Sequence, residues 1–256
     1  MTRTINTAAW LVGTLLAVGS ARAEASPFDA RSAETLEDGG WHVGIFAPLR
    51  YGISDELEIS SHPISAFWNG NFALKKGWGE LGGWSVATRH GFSYPTRLLA
   101  AFSRDGAGGL LPPDAEIPHI IAADTRVLMS RNITDGTRLT LGARVTLAPA
   151  FGESSWGPLE MPLVYARTAA ARNGAATNLS AVLDGQCTES ISWLSATEAW
   201  YLPGSAGSWS VEQTIASAWS TKGGFSVQGG AIFVAGEYDY GTNWHVLPKF
   251  DMGWQF

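Results

Sequence analysis

Nine charged side chains fall on alternate positions of extended runs: Arg50, Glu58, Arg89, Asp124, Arg126, Arg138, Arg144, Glu198 and Glu212. Side chains two apart on a strand share a face, so this spacing builds walls of charge, suited to steering a water-borne solute. A catalytic set is harder to assemble. His90 stands near Ser93, and Ser60 and His62 share a face, yet neither pair has a third group at the spacing that a nucleophile, base and orienting residue require. No residue is therefore assigned as catalytic. For metal there is no cysteine pair, no His-x-His and no His-Glu-x-x-His. Glu198 with Glu212 could hold a divalent cation, but two carboxylates do not specify one. The glycines from Gly106 to Gly109 lack the strand-to-helix context of a phosphate loop and read as a mobile loop, so no cofactor is expected.

The elements that position these charges repeat every two residues. Leu139, Leu141, Ala143, Val145 and Leu147 alternate with Arg138, Thr140, Gly142, Arg144 and Thr146; a helix would repeat every 3.6 residues instead. Trp41, Val43, Ile45, Ala47, Leu49, Tyr51 and Ile53 form another such face, with Phe46 and Pro48 as imperfections opposite. Further strands are predicted at 56–62, 66–78, 82–94, 118–131, 160–173, 175–186, 191–202, 208–221, 224–237 and 243–256, which makes about twelve, with a range of ten to fourteen. Turn pairs separate them: Ser54-Asp55, Gly79-Glu80, Asp135-Gly136, Asn173-Gly174 and Gly223-Gly224. Consecutive strands should pair antiparallel. Residues 103–117 and 149–159 are longer connections, and Thr96 to Arg104 is expected to form a short helix leading into the first.

Composition says where such a sheet resides. Arg3, an apolar run from Ala8 to Val18 and then Ala21-Arg22-Ala23 fit a secretory signal cleaved after Ala23; the run falls well short of the roughly 20 residues of a spanning helix. Without Arg3 and Arg22 the 17 basic residues become 15 against 23 acidic ones, a net of −8, which argues against nucleic acid. One cysteine, Cys187, excludes an intramolecular disulfide framework. Twelve tryptophans and thirty glycines with 16% charged residues suit strands whose outer face meets lipid and whose aromatic rings sit at the interfaces. The fold class is thus all-β, an antiparallel transmembrane β-barrel over residues 40–256, preceded by an extended segment at 24–39. Closure follows from physics, because an unpaired backbone amide in hydrocarbon costs several kcal/mol.

In the last strand Phe250, Met252, Trp254 and Phe256 alternate with Lys249, Asp251, Gly253 and Gln255, and the chain ends on the aromatic ring. This resembles Gram-negative outer-membrane β-barrel proteins, and Tyr51-Gly52-Ile53-Ser54-Asp55-Glu56-Leu57-Glu58 looks like a hairpin common among outer-membrane channels. The resemblance implies an outer-membrane location, with lipid and the barrel-assembly machinery, which reads the terminal strand, as partners. It carries no catalytic residues.

Facing the apolar side outward turns all nine charges into the lumen. Turns centred on Asp135, Ser54 and Ser205 would set Arg126 opposite Arg144, Asp124 diagonal to Arg144, Arg50 opposite Glu58 and Glu198 against Glu212. In a twelve-stranded ring the two glutamates would lie roughly across from Arg89, Arg126 and Arg144. The expected function is a narrow channel for small polar or zwitterionic solutes between a basic and an acidic wall. The competing readings are an ion-paired plug that stiffens a small barrel and an outer-membrane hydrolase. Arg167 breaks the pattern: it turns outward with Met161, Leu163 and Tyr165, which predicts snorkelling to the headgroups. Sidedness resists as well. With a periplasmic C-terminus, twelve strands place the long connections on the periplasmic side, the reverse of the usual order. An extra pass by residues 26–37, inside the barrel or as a strand, with one misread strand after Cys187, would restore it.

Overall fold

Two-residue alternation is realised as a closed ring of twelve antiparallel strands in a computed structural model. It describes residues 26–62, 69–103, 111–112, 115–156, 165–204, 207–238 and 241–256. The expected signal segment at 1–23, Gly106 to Gly109, Met161, Leu163 and Ser205 lie outside the described residues. In chain order the strands are β1 (Trp41–Gly44), β2 (Leu49–Ser54), β3 (Leu57–Ser61), β4 (Gly70–Leu81), β5 (Trp84–Tyr94), β6 (His119–Ile120), β7 (Ala122–Thr134), β8 (Thr137–Leu147), β9 (Ala150–Phe151), β10 (Ala175–Thr188), β11 (Ile191–Tyr201), β12 (Trp209–Ser220), β13 (Phe225–Tyr238) and β14 (Gly241–Gln255). β6 and β9 pair with each other outside the ring. Two helices are described, α1 (Thr96–Phe102), where a short helix is expected, and α2 (Tyr165–Asn173).

The ring closes between β1 and β14, with Val43 opposite Trp254. The Trp41 amide donates to the Phe256 carbonyl at 2.7 Å and the Phe256 amide to the Trp41 carbonyl at 3.0 Å. The aromatic terminus is thus a structural seam. Outward faces carry Val127, Leu141, Val145, Leu179, Ile215, Phe233, Val246 and Phe250, all exposed. So broad an exposed apolar surface is foreign to a protein surrounded by water. Among the described residues no helix is long and apolar enough to cross a membrane, a fact that does not bear on crossing by strands.

Two predicted strands are corrected. The run 41–53 is two strands, and Phe46 and Pro48, the residues that spoil its alternation, occupy the connection between them. Residues 165–173 of the predicted strand 160–173 are helix α2. Its Ala169-Ala170-Ala171 run favours a helix over a strand. Asn173-Gly174, expected as a hairpin turn, ends that helix: Gly174 has φ +83°, and its amide donates to the Ala170 carbonyl at 3.1 Å.

One strand gained and one lost keep the count at twelve and resolve the sidedness. The tight turns after β2, β4, β7, β10 and β12 share one end of the barrel with the C-terminus. The connections 62–69, 95–121 and 148–174 share the other, the usual arrangement. The misread element precedes Cys187 rather than following it. Residues 26–40 add no strand to the ring; they run inside it.

Candidate functional site: the charged lumen

The N-terminal segment is seated by contacts on almost every side of the lumen. Phe28 packs among the inward-facing Val182, Leu194, Ala196, Ala216 and Ala218, and Ala33 packs against Ala87 and Leu128. The Ala33 amide donates to Ser130 Oγ at 2.8 Å and the Leu36 amide to Glu58 Oε2 at 3.2 Å. Asp29 Oδ1 accepts from Arg138 at 2.6 Å, and Arg31 meets Glu198 at 3.1 Å. Lys75, buried under the segment, donates to the backbone carbonyls of Glu34 and, at 3.4 Å, Asp29. Gly52 admits the segment: a Cβ there would sit 1.9 Å from the Glu37 carbonyl oxygen. At the end bearing the tight turns a cavity of about 1140 Å³ remains beside the segment, bounded in part by Asp29, Glu34, Arg138 and Asp184.

The opposite mouth is narrowed by α2. Ala166, Ala169 and Ala170 let the helix approach the wall closely and pack with Ala176, Trp200, Leu202 and Tyr238. Arg167 lies on this helix and points inward, which corrects its expected place at the headgroups. It pairs with Glu212 at 2.7 and 3.1 Å. The Glu212 carboxylate beside it raises the Arg167 pKa, so the guanidinium stays charged. Beside it a second cluster of Leu99, Leu111, Ile120, Ala148, Trp156 and Ala171 joins α1, the β6–β9 pair and the end of α2.

All nine sequence-selected charges occupy inward positions. Arg126 is opposite Arg144, and Asp124 reaches Arg144 at 3.0 Å and Arg89 at 3.5 Å. Glu198 is opposite Glu212; each takes an arginine, Arg31 and Arg167 respectively, so the pair does not stand as a cation site. No cluster of three metal-ligating side chains occurs among the described residues. Arg50 is opposite Ser60 rather than Glu58, because the hairpin turns at Asp55 and Glu56 rather than about Ser54, with an irregularity between Gly52 and Ser54 that shifts the register by one residue. The Arg50–Glu58 pair still forms, along the diagonal, with Nε–Oε1 at 2.8 Å.

The expected transverse field is not what the fold builds. Around the ring the order is β5, β7, β8, β10, β11, β12, which puts Glu198 three strands from Arg126 rather than across the lumen. The residues read as a strand between β8 and β10 supplied the missing width. The result is one mixed cluster: Asp124, Glu198 and Glu212 interleaved with Arg31, Arg89, Arg126, Arg144 and Arg167.

Several lumen groups escape the sequence reading. Asp184, opposite Arg138 on β10 and 2.8 Å from it, shares the parity of Asn178 and Ser180 and was legible from alternation. Lys75 has the charged neighbour Lys76, so only register decides which of the two turns inward. Asp29 and Arg31 lie in a 3-10 turn without periodicity. The hydrolase pairs do not assemble: His90, exposed, contacts Thr125 Oγ1 at 3.1 Å while Ser93 has the opposite strand parity. Ser60 is buried in the lumen, and His62, beyond the end of β3, meets the Phe46 carbonyl at 2.6 Å.

No family model matches the chain, and no curated protein matches it. Among solved structures it is similar to the outer-membrane channel DcaP of Acinetobacter baumannii, at 12% identity and a TM-score of 0.41 over 82% of this chain and 62% of that one. It is also similar to OccAB4 of Acinetobacter baumannii, at 10% identity and 0.42 over 86% and 54%, and to OccAB2 of the same organism, at 7% and 0.39 over 86% and 55%. The chain therefore spans between 54% and 62% of the length of these proteins.

Proposed function

We propose that the protein is an outer-membrane channel for small polar solutes, narrowed by its own N-terminal segment. The outward apolar face supports residence in lipid, and the aromatic seam of Phe250, Met252, Trp254 and Phe256 supports insertion by the barrel-assembly machinery. The observation that carries the channel reading is the wetness of the charged cluster. Although they lie within the lumen or its mouth, the Arg31, Arg89, Arg144 and Arg167 side chains keep 31, 30, 27 and 47% of their exposure. A solid ion-paired filling would bury them. The seated segment and α2 narrow the lumen, so the solutes are small and the current at rest is low.

A structural barrel without transport is the second reading, favoured by the number of bonds that hold the segment. Planar-bilayer recording and liposome swelling with the purified, folded protein separate the two. Small, resolvable currents and swelling with small polar solutes are expected, with Arg126→Glu plus Arg144→Glu shifting ion selectivity toward cations. No current and no swelling, for the wild type and for a variant lacking residues 26–36, would establish the structural barrel instead.

A further inference from the structure

Register places Arg89 directly opposite Arg126 and Arg126 directly opposite Arg144. Like charges in direct cross-strand contact destabilise a sheet. The row has one carboxylate, Asp124, which is divided between Arg89 and Arg144. Arg126, in the middle, has no carboxylate within 4 Å among the described residues; its terminal nitrogen donates to Ser180 Oγ at 2.6 Å, and its Nε is buried without a hydrogen-bond partner. Three guanidinium groups against one carboxylate leave this stretch of wall two positive charges in excess. Gly142 lets Arg126 lie flat there, since a Cβ would come within 3.1 Å of Nε and 2.5 Å of Ser180 Oγ.

The carboxylate best placed to satisfy Arg126 is Glu198. Its strand partner Ser180 is the residue that Arg126 touches, and Arg126 acts on it electrostatically. Glu198 is instead held by Arg31 of the N-terminal segment at 3.1 Å. The segment thus withdraws the wall's own counter-ion from the wall's unpaired cation.

We propose that Arg126, flanked by Arg89 and Arg144, binds one small oxyanion, a carboxylate or phosphate, and that Arg31 keeps this site open by occupying Glu198. Such groups offer paired oxygens that match the guanidinium fork. Arg31 is a positioning residue. When the segment leaves, Glu198 turns to Arg126 and the site closes on itself; by linkage, a bound oxyanion favours the seated segment. The proposal deepens the channel reading by naming its solute class, but binding is measurable without current.

The test is calorimetric titration of the full mature chain, folded in detergent micelles, with succinate, with inorganic phosphate and with chloride as control. Saturable binding of at least one oxyanion and not of chloride is expected, weakened about tenfold in Arg126→Gln, the loss of a charge-assisted bond. Arg31→Gln should weaken it comparably, and Glu198→Gln should restore binding in the Arg31→Gln background, which a merely structural role for Arg31 would not produce. Ser180→Ala, a milder change beside the same guanidinium, serves if Arg126→Gln fails to fold, and should alter affinity severalfold. Absence of oxyanion binding by the wild type, or binding indifferent to both Arg126→Gln and Ser180→Ala, overturns the site. Failure of Glu198→Gln to rescue overturns the role given to Arg31. Binding without current from either the wild type or the variant lacking residues 26–36 would retain the site and remove the channel; current without binding would do the reverse.

Discussion

Asp29 and Arg138 are 109 residues apart in the chain and 2.6 Å apart in the lumen. Arg138 also holds Asp184, its cross-strand partner, at 2.8 Å, so a single guanidinium ties the N-terminal segment to the wall of β8 and β10. Arg138→Ala leaves two largely buried carboxylates facing each other, and removal of one partner from such a pair costs on the order of 3 kcal/mol. Much of that strain is relieved if the segment leaves. Trypsin should therefore cut after Arg31 markedly faster in Arg138→Ala than in the wild type, while the barrel keeps its heat-modifiable mobility on a gel. Equal cleavage rates would mean that the pair does not hold the segment.

Lys75 gives a second, independent hold. Its buried ammonium donates to segment carbonyls, and a methionine there keeps the volume and removes the donors. Lys75→Met should raise the mean current in planar bilayers without changing strand content by circular dichroism. An unaltered current would argue that the segment is retained without it.

At Gly52 the wall and the segment lie backbone against backbone. Gly52→Val brings a side chain onto the Glu37 carbonyl, and overpacking of this kind destabilises by about 1 to 3 kcal/mol. Displacement of the segment is cheaper than distortion of the ring. Backbone amide exchange measured by mass spectrometry should therefore rise over residues 33–40 and stay unchanged over β10 to β13.

The lipid face is tested by Leu141→Arg, because Leu141 is exposed in the middle of β8. An arginine near the bilayer midplane costs about 2 to 4 kcal/mol in a barrel, and about 0 to 1 near an interface. Urea unfolding from lipid vesicles should show a loss in the upper range for Leu141→Arg and a small one for Leu147→Arg, at the end of the strand. Equal losses would place the membrane elsewhere.

Phe256 joins the closing seam through its backbone and leaves its ring outside, 73% exposed. Phe256→Ala should leave final stability within about 1 kcal/mol, as surface substitutions usually do. The rate at which the folded, heat-modifiable band appears in proteoliposomes containing the assembly machinery should fall severalfold. An unchanged rate would separate the seam from the assembly signal.

Alternation by itself determined the barrel. Because the side-chain period of a strand is two, Arg138, Thr140, Gly142, Arg144 and Thr146 had to share one face, and charges on that face had to turn away from an apolar surround. The inward assignment of all nine charges, and the meeting of Arg126 with Arg144 and of Glu198 with Glu212, follow from that period and the turn positions between strands. Helix α2 was less legible because apolar residues on a short alanine-rich helix imitate strand alternation over a few positions; Asn-Gly, moreover, serves equally as a hairpin turn and as a helix end.

What tertiary structure alone decided is the content of the lumen. The segment at 26–40 has no period to read, since its contacts are made one residue at a time with nearly every wall of the ring: Asp29 with Arg138, Arg31 with Glu198, Glu34 with Lys75. Such contacts depend on where the strands stand around the closed circle, and a two-residue repeat carries no information about that circle. The sequence specifies which way each side chain points; closure of the sheet specifies which of them meet.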